Sequence, residues 1–179
     1  MSQRVKIRAL LLEGRTPLSL GKVHEAVEWV YGDARLRERL VECLWDDDPG
    51  VVNRAAQAVE LVSRERPQLF QAYKAELLGL LPEAEGKKLR WSLAAAIPRL
   101  QLSGSEARQT AVLLEGFLED SSSIVKTCAL QGIHDLAMQE SALLPMALDL
   151  LRIHGRSGTP AMRARSRNLL QRLERHSRE

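Results

Sequence analysis

The chain has 179 residues, of which 45% are hydrophobic and 27% are charged, and its net charge is +3. This length is sufficient for one domain with a hydrophobic core, and the composition excludes a chain that is disordered throughout. Because only 4% of the residues are aromatic, while leucine, alanine, arginine and glutamate are abundant, the composition favours helices over strands.

The first predicted helices are bounded by short polar residues and prolines. Thr16 followed by Pro17 predicts a cap and a first helical turn, so we expect a helix that reaches about Tyr31. Asp33 then predicts the cap of a second helix, which continues to about Trp45.

An acidic run and a proline separate the second helix from the third. Residues 46–49 read Asp-Asp-Asp-Pro, which supplies a cap, a first-turn proline and negative charge at the positive end of a helix dipole. The helix that follows, over residues 51–62, has apolar residues on more than one narrow stripe. We therefore expect it to be packed on several sides.

The remaining predicted elements are short helices joined by short loops. Pro98 lies in the last turn of one helix and should end or kink it, and Ser105 is predicted to cap the next. Gly155–Gly158 predicts a flexible loop, after which Thr159 and Pro160 begin the last helix. No segment shows the strict alternation of a strand. The predicted helices cover residues 67–81, 87–100, 106–118, 124–138, 141–153 and 160–176.

The chain carries an internal repeat with a period of 36 residues. Large apolar residues that recur at this period stack into a continuous core, which a single helix pair could not form alone. A second column of small residues would allow neighbouring helices to approach closely. The apolar column is Leu61, Ile97, Ile133 and Leu169, and the small column is Ala56, Ser92, Cys128 and Ala164.

The third copy of this repeat resembles the second helix of a HEAT repeat. The resemblance lies in Asp120 in the turn, in Val125 and Lys126 at the start of the helix, and in the spacing through Ala129 to Ile133. The first copy matches at the turn acid, the basic residue and the closing leucine, but has asparagine where valine is expected. The second copy lacks an aspartate in the turn, and the fourth matches weakly.

The resemblance implies an all-α fold, an α-α superhelix (solenoid) of about four HEAT-like helix pairs with an N-terminal capping helix or helix pair. The whole chain, 1–179, would form a single domain. Residues 1–32 would be the cap, and the repeats would cover residues 33–66, 67–102, 103–138 and 139–179. A degenerate repeat motif indicates a fold and carries little information about function.

Charge is unevenly distributed along the chain. Residues 1–24 carry five basic side chains and one acid, and residues 152–179 carry eight arginines and two acids, so the segment between them has a net charge of −7. Basic ends of this kind indicate either a surface for nucleic acid or an acidic partner, or the solvated arginines of terminal helices.

Three basic residues, Arg54, Arg90 and Lys126, lie one repeat apart, and the resemblance places them on or near the concave side of the solenoid. They predict either a cationic ladder for phosphate or carboxylate groups, or a structural ladder that pairs with acids of the neighbouring loops. Trp91 stands where other copies have small or polar residues, and predicts either an exposed anchor for a partner or ordinary packing. Trp45 lies in an apolar column and is predicted to be in the core.

The C-terminal segment is rich in arginine. A glycine-containing, arginine-flanked loop at a helix N-terminus can hold an anion, although the order of residues does not match a nucleotide-binding loop. The alternative is a capping helix that buries Leu169, Leu170 and Leu173 and leaves its arginines in solvent. The candidate contacts to an anion or nucleic acid are Arg156, Arg163, Arg165 and Arg167.

The two cysteines, Cys43 and Cys128, stand in apolar helical patterns and form neither a CxxC motif nor a metal-ligand spacing. We therefore expect buried, reduced thiols and a cytoplasmic protein. The longest apolar runs are shorter than the roughly 20 residues of a membrane helix, and the first residues do not have the pattern of a signal peptide. We predict no membrane association.

No group of residues predicts catalysis. The four histidines form no HExxH pair or other ligand spacing, and a GxSxG motif is absent. We therefore predict no catalytic residue, no metal site and no cofactor.

These features together predict a non-enzymatic binding or scaffolding module that uses the concave face of the solenoid, with another protein as its partner and its oligomeric state left open. An alternative is a nucleic-acid-binding HEAT-like protein related to the alkylated-DNA glycosylases, which the acidic middle of the chain argues against. A second alternative is a HEAT-like lyase, similar to the bilin lyases, or an enzyme subunit, and it rests on the resemblance in fold alone.

Overall fold

The computed structural model describes the backbone of residues 3–176 and the side chains of residues 7–176. This part of the chain is all-α, with short 3₁₀ turns at several helix ends and no strand. The helices are α1 (Gln3–Leu12), α2 (Val23–Gly32), α3 (Ala34–Glu42), α4 (Pro49–Glu65), α5 (Lys74–Leu80), α6 (Lys87–Ala96), α7 (Gly104–Gly116), α8 (Ser123–Ala137), α9 (Leu144–Ser157) and α10 (Pro160–His176).

The helices form an all-α solenoid with a continuous inner layer. Helices α2, α4, α6, α8 and α10 lie side by side in that order, each in contact with the next. Helices α3, α7 and α9 pack against α4, α8 and α10, and α5 packs against the turn that ends α6. Each predicted repeat unit therefore contains one helix pair, and we keep the predicted bounds as a proposal. No helix of the described chain is both long and apolar enough to span a membrane.

The repeat period explains how the core is built. Ile97, Ile133 and Leu169 are all buried in one continuous apolar cluster, and Leu61 packs against it half-buried. Helices α6 and α8 approach each other closely at Gly132, where a Cβ atom would lie only 2.7 Å from the carbonyl oxygen of Ala94. A larger residue at this position would force α8 away from α6.

Several predicted helix boundaries are confirmed. The carboxylate of Asp33 accepts hydrogen bonds from the backbone N–H groups of the first turn of α3. Asp48 does the same for α4, with Pro49 as the first helical residue. Helix α6 ends at Ala96, and Pro98 lies in the 3₁₀ turn that follows, as the fixed geometry of proline requires.

Other boundary predictions are wrong. The helix expected from Thr16 does not begin until Val23, because residues 13–22 form a loop whose carbonyl groups bind side chains of the inner layer. Helix α7 is capped by Ser103 rather than Ser105, since Ser103 and Glu106 form a reciprocal capping box. The loop expected at 155–158 is largely helical, because α9 continues to Ser157 and packs along α10.

The prediction that Trp45 is in the core is also wrong. Helix α3 ends at Glu42, and the chain continues as a 3₁₀ turn over Cys43–Trp45. This tighter turn directs Cys43 and Leu44 into the core and leaves Trp45 49% exposed. The helix predicted from residue 67 likewise begins as a 3₁₀ segment, and α5 starts only at Lys74.

Candidate partner-binding groove

A depression with a volume of about 570 Å³ crosses the exposed side of the inner layer. Four consecutive inner helices, or the turns that end them, contribute side chains to it. We call it the inner groove and define it by six residues that line it: Glu60, Arg64, Trp91, Arg99, Ile124 and Arg165.

The apolar part of the inner groove is formed by Trp91 and Ile124. Ile124 is 48% exposed, and Trp91 is half-buried beside it. Both residues also line an adjoining depression of about 420 Å³, which Leu18 and Leu20 of the N-terminal loop border on the other side. Because Leu18 and Leu20 are exposed as well, the apolar surface extends from the loop to α8.

A buried carboxylate fixes two of the groove arginines. The Glu60 side chain is only 2% exposed and accepts hydrogen bonds from Arg64 at 2.8 Å and from Arg99 at 3.0 Å. Arg99 also donates to the carbonyl oxygen of Glu60 and to the hydroxyl of Ser63, each at 3.0 Å. Burying a carboxylate is unfavourable unless it is paired in this way. Glu60 therefore positions both guanidinium groups, while Arg64 remains 60% exposed.

A second polar cluster joins α8 to α10. The side-chain amide of Gln131 donates to Asp135 at 2.7 Å, and its oxygen accepts from Arg165 at 3.0 Å. Nδ1 of the buried His134 lies 2.8 Å from the same carboxylate oxygen of Asp135. Asp135 is thus bonded within the protein, and Arg165 is held with its exposed side chain along the groove.

Cations outnumber carboxylates along this surface. Among the described residues, the inner groove and the adjoining depression are lined by five cationic side chains and two carboxylates, although the middle of the chain as a whole is acidic. Many acids of the middle segment lie elsewhere, since four of them surround Trp45 in a separate depression of about 490 Å³. The net charge of a segment therefore does not describe the charge of this face. The five cations are Arg64, Lys87, Lys88, Arg99 and Arg165, and the two carboxylates are Glu60 and Asp135.

The groove contains a thiol that is poorly suited to nucleophilic chemistry. Burial, together with the nearby charge of Glu60, raises the pKa of Cys128 to about 11. The thiol is therefore protonated near neutral pH, and the thiolate is the nucleophilic form. Within residues 7–176, no three histidine, cysteine or acidic side chains are grouped so as to hold a metal ion.

Comparison with known proteins gives a result for the fold alone. No protein-family model matches the chain, and no curated protein matches it. Solved structures do: an engineered protein of the Northeast Structural Genomics Consortium has a TM-score of 0.64 at 14% identity, over 97% of this chain and 80% of that one. The designed armadillo repeat protein YIII(Dq)4CqI has a TM-score of 0.63 at 15% identity, over 96% and 87%. The chain has an armadillo/HEAT-like repeat fold.

A third similar structure, another engineered protein of the same consortium, has a TM-score of 0.59 at 16% identity, over 97% of this chain and 92% of that one. Identities this low relate the proteins by fold and carry no information about what this armadillo/HEAT-like chain binds.

The three basic residues at the repeat period do not form one ladder along the inner groove. Arg54 is 2% exposed, and its guanidinium donates to the carbonyl oxygens of Leu11, of Thr16 at 3.1 Å and of Ser19 at 3.4 Å. Its donors therefore bind the last turn of α1 and the N-terminal loop and are not available to a partner.

Arg90 pairs with an acid of a neighbouring loop, which is the structural alternative for the basic residues at the repeat period. Its guanidinium donates to Asp120 at 2.8 Å and to the carbonyl oxygen of Ala84 at 2.9 Å. A hydrogen bond from the backbone of Ser122, with further contributions from Arg90 and Lys126, lowers the pKa of Asp120. Neither Arg90 nor Lys126 lines the inner groove, because each lies on a different face of its helix from the groove residues. Of the four proposed groove residues, Trp91 alone lines it.

The four arginines of the C-terminal segment that are candidate contacts to an anion lie in different environments. Arg165 lines the inner groove, and Arg163 donates to the carbonyl oxygen of Gly158 at 3.1 Å, at the start of α10. Arg156 and Arg167 are exposed and border a small depression of about 150 Å³ between α9 and α10. The structure thus does not bring them together as one anion site.

Proposed function

We propose that this protein is a non-enzymatic binding module that holds a segment of a partner protein in the inner groove. The observation that carries the proposal is the position of Trp91, half-buried beside the exposed Ile124 and close to Arg64 and Arg99, which the buried Glu60 holds in place. An aromatic anchor surrounded by fixed polar groups is the composition of a protein-binding hot spot.

The arrangement of the arginines supports the same proposal. Glu60 holds Arg64 and Arg99, and Gln131 holds Arg165, so these side chains lose little conformational freedom when a partner arrives. A pre-organised site of this kind spends less of its interaction energy on ordering its own side chains.

The test is a selection of displayed random peptides on the protein, followed by affinity measurement with variants. Peptides selected on the unmodified chain should bind the Trp91→Ala variant at least about tenfold more weakly, which corresponds to roughly 1.4 kcal/mol. Trp45→Ala is the matched control, because it removes an exposed tryptophan that lies outside the groove. If no peptide is selected, or if Trp91→Ala binds as well as the unmodified chain, the proposal fails.

Nucleic acid is the second candidate, and the excess of cations in the groove is the observation that favours it. Labelled single-stranded and duplex DNA should then bind with an affinity that falls by orders of magnitude between about 50 and 200 mM salt. Charge reversal of Arg165 should weaken that binding. Our first proposal predicts instead that DNA competes poorly with the selected peptides.

A further inference from the structure

We infer that the segment held in the inner groove is acidic and carries carboxylates together with at least one large apolar side chain. This inference rests on the proposed function and specifies the chemistry of the partner.

The charge of the groove is complementary to an acidic segment. The two carboxylates that line it are engaged within the protein, Glu60 by Arg64 and Arg99, and Asp135 by Gln131 and His134. Arg64 is nevertheless mostly exposed, and Arg165 is exposed with an uncharged amide as its hydrogen-bond partner. A basic segment would meet like charge here, whereas carboxylates would form charge-assisted hydrogen bonds with arginines that are already oriented.

The apolar centre sets the second requirement. Trp91 and Ile124 lie between the arginines and the exposed Leu18 and Leu20, so an apolar surface adjoins the cationic one. A chain with only acidic side chains would leave this apolar surface in water, and burying it is favourable. The partner segment therefore needs an apolar side chain at the level of Trp91.

The N-terminal loop shows that side chains of the inner layer can bind the backbone carbonyl groups of another segment. Lys88 donates to the carbonyl oxygen of Leu18 at 3.1 Å, and Asn53 donates to that of Pro17 at 3.3 Å. With the bonds of Arg54, three inner-layer side chains bind five backbone carbonyls of residues 11–19. The loop binds the first turns of α4, and the exposed arginines lie away from it, Arg64 in the last turn of α4 and Arg165 on α10.

The experiment uses three fluorescein-labelled peptides of equal length with the same leucines, and with Glu, Gln or Lys at all other positions. We expect the Glu peptide to bind the full chain at least about tenfold more tightly than the Gln peptide, and the Lys peptide to bind most weakly. The preference for Glu over Gln should disappear in the Arg64→Gln/Arg165→Gln double variant. It should persist in Arg156→Gln/Arg167→Gln, which removes the same charge outside the groove.

The outcomes separate this inference from the proposed function. If the Gln peptide binds as tightly as the Glu peptide and Trp91→Ala weakens both, the groove binds peptides but the inferred acidity is overturned. If none of the three binds, or if Trp91→Ala leaves their affinities unchanged, both statements are overturned. If single-stranded DNA of matching charge displaces the Glu peptide and binds more tightly, the partner is a nucleic acid and the inference also fails.

Discussion

The guanidinium of Arg99 lies 3.0 Å from the buried carboxylate of Glu60, although 39 residues separate the two in sequence. This contact joins the turn after α6 to the face of α4. Because Arg64 binds the same carboxylate, one buried acid orients two arginines of the inner groove. The positions of these two arginines thus depend on an acid that is almost inaccessible to solvent.

Replacing Glu60 by glutamine should destabilise the protein and release the arginines. The amide keeps the shape of the side chain but removes the negative charge, so we expect a loss of about 1–3 kcal/mol in the free energy of unfolding. Urea unfolding measures it, and Glu115→Gln, an exposed acid on α7, should change the value by less than about 0.5 kcal/mol. Equal stability of the two variants would show that the Glu60 pairs contribute nothing.

Arg54 should hold the N-terminal loop in place. In Arg54→Met, the carbonyl groups of Leu11, Thr16 and Ser19 lose their hydrogen-bond donor, so the loop should open more often. The free energy of unfolding should fall by about 2 kcal/mol. Trypsin should then cleave after the exposed Arg15 at least about tenfold faster, because proteolysis follows the population of open states. An exposed control, Arg167→Met, should leave this rate unchanged. Unaltered cleavage in Arg54→Met would contradict the assignment.

Acid should selectively remove the stabilisation from Glu106. A hydrogen bond from Lys74, with further bonds from Ser103, lowers the pKa of Glu106 from its usual 4.5 to about 2. A group with a lowered folded-state pKa stabilises the protein above its unfolded value and loses that effect as the pH falls. The stability difference between the unmodified chain and Glu106→Gln should therefore be full above pH 4.5 and shrink towards pH 2. A difference that does not vary over this range would refute the pairing.

Cys128 should react slowly with alkylating reagents. Since burial and the charge of Glu60 raise its pKa to about 11, little thiolate is present at pH 8, and Cys43 is buried in the core. Iodoacetamide should label both thiols rapidly only in denaturant, and Glu60→Gln should accelerate labelling of Cys128. Labelling of the folded chain at the rate of a free thiol would show that Cys128 is more exposed and more ionised than the structure indicates.

Features that depend on local rules could be predicted from the sequence. Asp33 and Asp48 cap helices because a short acidic side chain reaches the N–H groups two and three residues ahead. The burial of Ile97 and Ile133 follows from the repeat period, which places equivalent residues against the same core. The repeat also indicates Trp91 as a candidate groove residue, because it replaces the small or polar residue of other copies.

Features that depend on distant contacts or on helix rotation could not be predicted from the sequence. A 3₁₀ turn at the end of α3 rotates Trp45 out of the core, and the sequence gives no strong signal of where an α-helix tightens. Arg54 binds the carbonyl oxygen of Leu11, which lies 43 residues earlier, whereas the period predicted an acid of a neighbouring loop or a bound anion as its partner. Glu60 and Arg64 are four residues apart, a spacing that is typical of an ion pair within one helix. Nothing indicated that Arg99 would join them.

Nuclear magnetic resonance mapping of a selected peptide on the ¹⁵N-labelled protein tests the central claim most directly. We predict that the largest chemical-shift changes on titration occur at the indole N–H of Trp91, at the backbone near Ile124, and at the side chain of Arg165. The indole N–H of Trp45, which lies in a different depression, should hardly move. Shifts that cluster around Trp45, with Trp91 unaffected, would show that the partner binds elsewhere and would contradict the inner groove as the binding site.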